Sequence, residues 1–174
     1  GIPLVYASDG WPASAHRYLT AQEAGSLEPP DLDDNPFFRN LMAQVEWIAA
    51  EFGRVEGYVN WQGVLNNAYR LRGQEIFEDM LLTPGRARRV FDCVADTMLD
   101  ACGRLHERQR RSGFAPGFFT VSNCLVNMVS PGQYRDLLLP YDRRFAEAYG
   151  LIGIHNCAWN ADPYLDAYAG VPNV

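Results

Sequence analysis

The sequence predicts an α/β fold in which strands and helices alternate along the chain. Short strand-like segments occur at Val55–Trp61, Phe118–Val121, Leu151–Ile154 and Val171–Val174, with helical patterns between them. This order predicts parallel strands joined by right-handed crossovers, with helices covering the sheet. Polar residues follow the strands, and ligand sites in such folds lie at the strand carboxyl ends. The pattern alone does not distinguish a closed barrel from a doubly wound sheet.

The size of the chain indicates one domain. The chain has 174 residues, of which 48% are hydrophobic, so we expect a single domain over residues 1–174. Residues 1–35 contain Pro29-Pro30 and a run of aspartates, which predict an irregular amino-terminal segment with short elements.

Composition excludes several classes of function. All 15 basic residues are arginine, which excludes Schiff-base chemistry and a P-loop because both need a lysine. A net charge of -6 without a basic stripe argues against nucleic acid as a partner. No apolar run is long enough for a membrane span, and no signal peptide is visible. Four cysteines without a CxxC motif favour a reducing cytoplasm, and Cys93 and Cys102 are expected to be buried thiols.

Three helices have clear sequence signals. Asn35-Pro36 predicts a cap and first turn, and Gly53 predicts the end of that helix. Thr83-Pro84 begins the second helix, and Ser130 to Gln133 forms a capping box for the third, in which Pro140 predicts a kink. The apolar stripe of the first helix consists of Phe37, Leu41, Val45, Ile48 and Phe52. That of the second consists of Val90, Phe91, Val94, Met98, Cys102 and Leu105.

The polar residues at 60–67, 122–124 and 155–160 are predicted to face one end of the sheet. Residues 60–67 are rich in amides, which can hold a polar ligand or, equally, cap the next helix and satisfy loop backbone. His155 and Cys157 are two residues apart, so on an extended strand they point to the same side. An imidazole and a thiol suit zinc, although a buried hydrogen-bonded pair without metal is the alternative. Cys124 is an alternative candidate for a third ligand, for which a packed loop thiol is the favoured interpretation.

Several segments together resemble the uroporphyrinogen decarboxylase superfamily, which includes zinc-dependent, corrinoid-linked methyltransferases. The similarity runs from about residue 30 to the end of the chain. The segments are Asn60-Trp61-Gln62-Gly63-Val64-Leu65-Asn66, Leu71-Arg72-Gly73, Ser130-Pro131, Tyr134, Leu139-Pro140-Tyr141 and Ile154-His155-Asn156-Cys157. The resemblance implies a TIM (β/α)8 barrel. Because such a barrel needs about 250 residues, we expect this chain to hold part of one.

The chain departs from the family pattern in three places. The decarboxylases carry an arginine-rich segment near the amino terminus that binds substrate carboxylates, and residues 11–17 hold no such motif. The methyltransferase branch is therefore closer. That branch usually has glycine after His-x-Cys, where this chain has Ala158. Its third zinc ligand is a later cysteine, which would fall beyond Val174.

The resemblance implies a zinc-dependent methyltransferase that moves a methyl group between a corrinoid (cobalamin) on a partner protein and a small thiol. His155 and Cys157 would bind the zinc. The substrate site would be lined by Asn60, Trp61, Gln62, Asn66 and Asn123.

Two other functions remain open on the sequence. A decarboxylase acting on a tetrapyrrole or another acid would need arginines for the carboxylates, and Arg70 and Arg72 are the nearest candidates. A barrel without catalytic activity would bind corrinoid or a partner chain, including a second copy, because an incomplete barrel exposes sheet edges.

Overall fold

The computed structural model describes residues 4–10, 13–15, 17–157 and 160–174. The segment at 11–17 is therefore described only in part, and Ala158 lies outside the described residues. Near the amino terminus, strands β1 (Leu4–Val5) and β2 (Ala13–Ser14) pair antiparallel, and a short helix, α1 (Ala21–Gly25), follows.

Helices make up most of the remaining chain. The longer ones are α2 (Pro36–Phe52), α3 (Val64–Arg72), α4 (Glu75–Leu82) and α5 (Pro84–Arg111). The carboxyl-terminal half holds α6 (Pro131–Gln133), α7 (Leu139–Tyr149) and α8 (Leu165–Ala169), with 3₁₀ turns at Cys124–Met128 and Asp162–Tyr164. Across the described ranges, none of the helices has the length and apolar character needed to cross a membrane.

The central sheet has three parallel strands in sequential order. They are β3 (Asn60–Gln62), β4 (Phe119–Ser122) and β5 (Ile152–His155). Trp61 pairs with Val121, and Ser122 pairs with His155. Parallel strands connected through helices confirm the α/β prediction. The sheet is open, so the complete TIM barrel is not shown, whereas part of a barrel is compatible with this arrangement.

The helices cover one face of this sheet. Phe119 of β4 is buried and packs against the rings of Phe145 and Tyr149, with centroid distances of 5.2 and 4.7 Å. Because alternate residues of a strand face opposite sides, Thr120 and Ser122 face away from the helices, together with the β5 residues paired with them. The predicted stripe of α5 is buried throughout, and Cys93 and Cys102 are buried as predicted.

The ends of α2 agree with the sequence signals, and its buried face agrees in part, since Val45 is buried and Leu41 and Ile48 pack against buried residues. The Asn35 side chain accepts hydrogen bonds from two amides of the first turn, and Gly53 ends the helix with a φ of 75°. Phe37 and Phe52, which the stripe includes, are exposed, whereas Phe38 is buried against Leu32 and Ala101. The reason is that α2 packs on α5 along a strip narrower than the apolar face predicts.

The helix around Pro140, where the sequence predicts a kink, departs from regular α-helical geometry. A π-helical turn, Tyr134–Leu138, joins α6 to α7 directly before this proline. A proline at position 140 has no N–H to donate to the carbonyl four residues earlier, at Asp136. Arg88 of α5 donates a hydrogen bond to that carbonyl at 3.1 Å, so the carbonyl is satisfied from a neighbouring helix.

Two predicted strands differ from the structure. The segment from Val55 becomes a strand only at Asn60, because the Gln109 side chain binds the carbonyls of Val55 and Gly57 and Gly57 has a φ of 118°. The predicted strand Val171–Val174 is wrong, because these residues form a bend and turn in which Asn173 has a positive φ. The Asn173 carbonyl nevertheless accepts a hydrogen bond from the amide of Ile152 at the start of β5.

Candidate metal centre

β4 and β5 end side by side in residues that can bind a metal ion. Ser122 and His155 are paired in the sheet, and the amide of Asn123 donates to the His155 carbonyl at 2.7 Å. Cys124 follows Asn123 at the start of a 3₁₀ turn, and Cys157 follows His155 by two residues. The parallel register therefore brings the residue after one strand next to those after the other.

Three potential ligand atoms meet at this point. The Sγ atoms of Cys124 and Cys157 and a ring nitrogen of His155 all lie within 4.8 Å of one another. His155 and Cys157 are exposed, and Cys124 is half-buried. Two sulfurs and an imidazole are typical zinc ligands, and three protein ligands leave a fourth position for water or substrate, as in catalytic zinc sites. The chemistry of this donor set fits zinc.

The position of Cys124 differs from the interpretation that the sequence favours. This residue lies beside a second thiol, and the two Sγ atoms are 3.0 Å apart. The contact lowers the pKa of Cys124 and raises the pKa of Cys157, because a proton retained on Cys157 is donated to the Cys124 sulfur. Cys124 therefore belongs with the predicted pair as a third candidate ligand.

Asn66 supports the turn that carries Cys124. Its amide nitrogen donates to the Gln62 side chain at 3.0 Å, and its oxygen accepts from the backbone amide of Leu125 at 3.1 Å. Asn66 is buried, so this bridge connects the end of β3 to the turn after β4. The sequence left open whether the amides near residue 60 bind a ligand or satisfy loop backbone, and for Asn66 the structure shows the second role.

The other predicted substrate-site residues occupy different surroundings. Asn60 and Gln62, the first and last residues of β3, are exposed on the face of the sheet without helices. Trp61 points the opposite way and stacks on Phe119. Asn123 is buried behind the metal-ligand candidates. Only Asn60 and Gln62 thus have open access to a molecule approaching the uncovered face, and substrate binding by the five residues stays a prediction.

A groove borders the metal-ligand candidates on the uncovered face of the sheet. It is lined by Asn60, Thr120, Gly153, Ile154 and His155, and its volume is about 410 Å³. Its lining combines the polar side chains of Asn60, Thr120 and His155 with Gly153 and Ile154, and it contains no carboxylate or guanidinium group. The groove therefore suits an uncharged molecule next to His155 better than a polycarboxylate.

The arginine considered for binding substrate carboxylates is engaged elsewhere. Arg72 is buried, pairs with Asp79 at 2.9 Å and with Glu75, and donates to the Leu19 carbonyl at 2.6 Å. Its charge holds the α3–α4 corner together. Arg70 is exposed on α3. The structure thus provides no cluster of free arginines at the described strand ends.

The fold of this chain resembles that of a methyltransferase from Methanosarcina mazei. The two structures superpose with a TM-score of 0.72 at 16% sequence identity. The match covers 98% of this chain and 50% of the Methanosarcina protein, so the chain spans about half the length of that structure. At this identity the likeness concerns the fold.

No family model and no curated protein matches the chain. The shared fold agrees with the α/β architecture that the sequence predicts, while membership of the uroporphyrinogen decarboxylase superfamily is not confirmed.

Sequence reasoning missed one residue near the site, Asp142. This carboxylate of α7 is buried and accepts hydrogen bonds from the Asn123 amide at 2.8 Å and the Tyr134 hydroxyl at 2.6 Å. Burial raises the pKa of Asp142 to about 6, and the two hydrogen bonds limit the rise. Its spacing, four residues after Leu138 and three before Phe145, places it on the apolar stripe of this helix and is the sequence signal that could have marked it.

Proposed function

We propose that the protein acts as a zinc-dependent methyltransferase that transfers a methyl group between a corrinoid protein and a small thiol. The observation that carries this proposal is the convergence of Cys124, His155 and Cys157, whose ligand atoms lie within 4.8 Å of one another. In this proposal these three side chains hold the ion, and Cys124 takes the place of the third ligand that the family resemblance expects later in the chain.

The chemistry of a bound zinc ion suits a thiol substrate. Zinc lowers the pKa of a coordinated thiol, so that a thiol acceptor is held as the nucleophilic thiolate near neutral pH. With three protein ligands, one coordination position stays available for that acceptor. In the overall transfer the thiol releases its proton and becomes a thioether.

The surroundings of the three ligands support access by a substrate. His155 and Cys157 are exposed, so a molecule from solvent can reach the point where the ligand atoms meet. The adjacent groove offers the Asn60 amide and the Thr120 hydroxyl, which can orient an uncharged polar acceptor by hydrogen bonds. In this proposal the acceptor thiol enters through the groove and reaches the metal next to His155.

The fold comparison gives this proposal coarse support. The Methanosarcina protein is named a methyltransferase, and its fold is shared over nearly the whole of this chain. The corrinoid donor and the thiol acceptor come from the sequence resemblance alone.

Metal analysis of the full-length protein tests the proposal. We expect about one zinc per chain in native protein, and loss of zinc in His155→Ala and Cys157→Ser. Cys93→Ser is the matched control, because Cys93 is a buried thiol on α5 outside the ligand cluster. Methyl transfer from methylcobalamin to 2-mercaptoethanol should depend on the same two residues. Native protein without stoichiometric zinc would contradict the proposal.

A further inference from the structure

The two segments that carry the ligand candidates are joined through one buried residue, Asn123. Its backbone amide donates to the carbonyl of His155 at 2.7 Å, so the pairing between β4 and β5 continues one residue beyond the strands. The next residue is Cys124. Any shift of Asn123 would therefore move Cys124 relative to His155 and Cys157.

The Asn123 side chain is fixed from both sides. Its amide nitrogen donates to Asp142 at 2.8 Å. Its oxygen lies against Gly63, where a Cβ atom would come within 1.9 Å of it. The amide of Gly63 in turn donates to the Ser122 carbonyl at 2.9 Å, which locks the end of β3 to the end of β4. The Asn123 side chain thus occupies a slot between Gly63 and Asp142, and any larger residue at position 63 would obstruct this slot.

Asp142 is the only acidic partner of this slot among the described residues. It is 3% exposed, and both of its hydrogen-bond donors are neutral. A buried carboxylate without a cation is costly, whereas an apolar residue here would fit the core of α7 without that cost. A carboxylate accepts a shorter and stronger hydrogen bond than a neutral acceptor, which is useful where an amide must be held in one orientation.

We propose that Asp142 is a positioning residue for the metal centre, because it holds Asn123 and thereby sets Cys124 against His155 and Cys157. As a statement about metal binding, this inference rests on the proposed function. Partners behind the ligands of metal sites commonly change metal affinity about 10–100-fold when they are removed. Asp142 does not contact a candidate ligand itself. It contacts Asn123, the residue that precedes the candidate ligand Cys124.

Two variants separate positioning from general stability. Asp142→Ala removes the acceptor of the Asn123 amide. Tyr134→Phe removes the other hydrogen bond to Asp142 but leaves the contact between Asp142 and Asn123 intact. In the full chain, we expect Asp142→Ala to weaken zinc binding about tenfold or more, measured by competition with a chelator. Tyr134→Phe should bind zinc almost as the wild type does. Asp142→Asn, which keeps the shape of the side chain, should show a smaller loss and is decisive if Asp142→Ala does not fold.

A second readout needs no metal. In zinc-free protein, oxidised glutathione can convert Cys124 and Cys157 to a disulfide, taking up two electrons and two protons to become two molecules of reduced glutathione. The two sulfurs start 3.0 Å apart and close to about 2 Å, so the equilibrium measures how well the thiols are placed. We expect Asp142→Ala to shift this equilibrium toward the dithiol, and Tyr134→Phe to leave it close to the wild-type value.

These readouts distinguish the two proposals. If folded Asp142→Ala leaves the disulfide equilibrium unchanged, or if Tyr134→Phe shifts it equally, the positioning role is overturned. If the wild type binds no zinc but Asp142→Ala shifts the disulfide equilibrium, the proposed function fails while the positioning role stands.

Discussion

The Sγ atoms of Cys124 and Cys157 lie 3.0 Å apart although the two residues are 33 positions apart in the chain. The contact results from the pairing of β4 with β5, which places the residues after the two strands at one edge of the sheet. A third candidate ligand, His155, lies in the same group. The sequence motif contains only His155 and Cys157, and the fold adds Cys124 to them as a third candidate ligand.

Cys124→Ser should reduce zinc affinity about as strongly as Cys157→Ser, because a serine hydroxyl is a poor replacement for a thiolate ligand. Chelator competition on the full-length protein measures this, with Cys93→Ser as the control. If Cys124→Ser retains the affinity of the wild type, the third ligand lies elsewhere, as the family resemblance implies.

Asp142→Asn should change the pH dependence of stability. The pKa of Asp142 is raised to about 6 in the folded protein from an ordinary value near 4, so its contribution to the free energy of unfolding is most favourable below pH 4 and declines as pH rises through 6. The decline is about 3 kcal/mol for a shift of this size. Relative to the wild type, Asp142→Asn should therefore gain stability between pH 4 and pH 7, as measured by urea unfolding at each pH.

The control for that measurement is Asp92→Asn. Asp92 also accepts a hydrogen bond from a tyrosine hydroxyl, that of Tyr141 at 2.7 Å, but it is in contact with water. Asp92→Asn therefore makes the same substitution at an exposed carboxylate. Parallel pH profiles for wild type and Asp142→Asn would show that the buried carboxylate carries no penalty.

Gly63→Ala should destabilise the protein by about 2 kcal/mol or more, because its Cβ would come within 1.9 Å of the Asn123 oxygen in a packed site. Gly103→Ala is the matched control, since this glycine lies within α5 and no atom lies within 4 Å of the added Cβ. Alanine is the better helix former, so Gly103→Ala should stabilise by up to about 1 kcal/mol. Urea unfolding compares the two variants, and equal effects would contradict the slot around Asn123.

Asp79→Ala should cost about 3 kcal/mol in the free energy of unfolding, because it leaves the buried Arg72 without its carboxylate partner. Arg86, which also pairs with Asp79, loses its partner as well. Glu107→Ala removes an exposed ion pair with Arg111 and should change stability by less than about 0.5 kcal/mol. A small effect of Asp79→Ala would show that the pair at the α3–α4 corner is replaceable by solvent.

Local signals in the sequence predicted much of the fold. The caps at Asn35 and Ser130, the stop at Gly53 and the buried face of α5 all agree with the structure. These features depend on neighbouring residues, which a sequence displays directly. The start of β3 was missed because Gln109, more than fifty residues away in the chain, captures the backbone carbonyls of the preceding segment.

The site was predicted only in part, because some of its residues come together through contacts between distant parts of the chain. His155 and Cys157 share a strand end, so their spacing alone brings them together. Cys124 and Asp142 join them through strand register and through the packing of α7, which no local pattern encodes. Asn66 and Asn123 have the amide chemistry of a ligand site; both are buried and hydrogen-bonded to other residues of the chain, and substrate binding by them stays a prediction.

Because Ser122 pairs with His155, the composition of the candidate metal site depends on the register between β4 and β5. A slip of β5 by one residue would exchange the two faces of the strand and turn the His155 imidazole toward the helices. The interlocked backbone at Gly63, Asn123 and His155 opposes such a slip at the edge where it would matter most. Correct alignment of β5 with β4 during folding therefore brings the His155 imidazole to the thiols of Cys124 and Cys157.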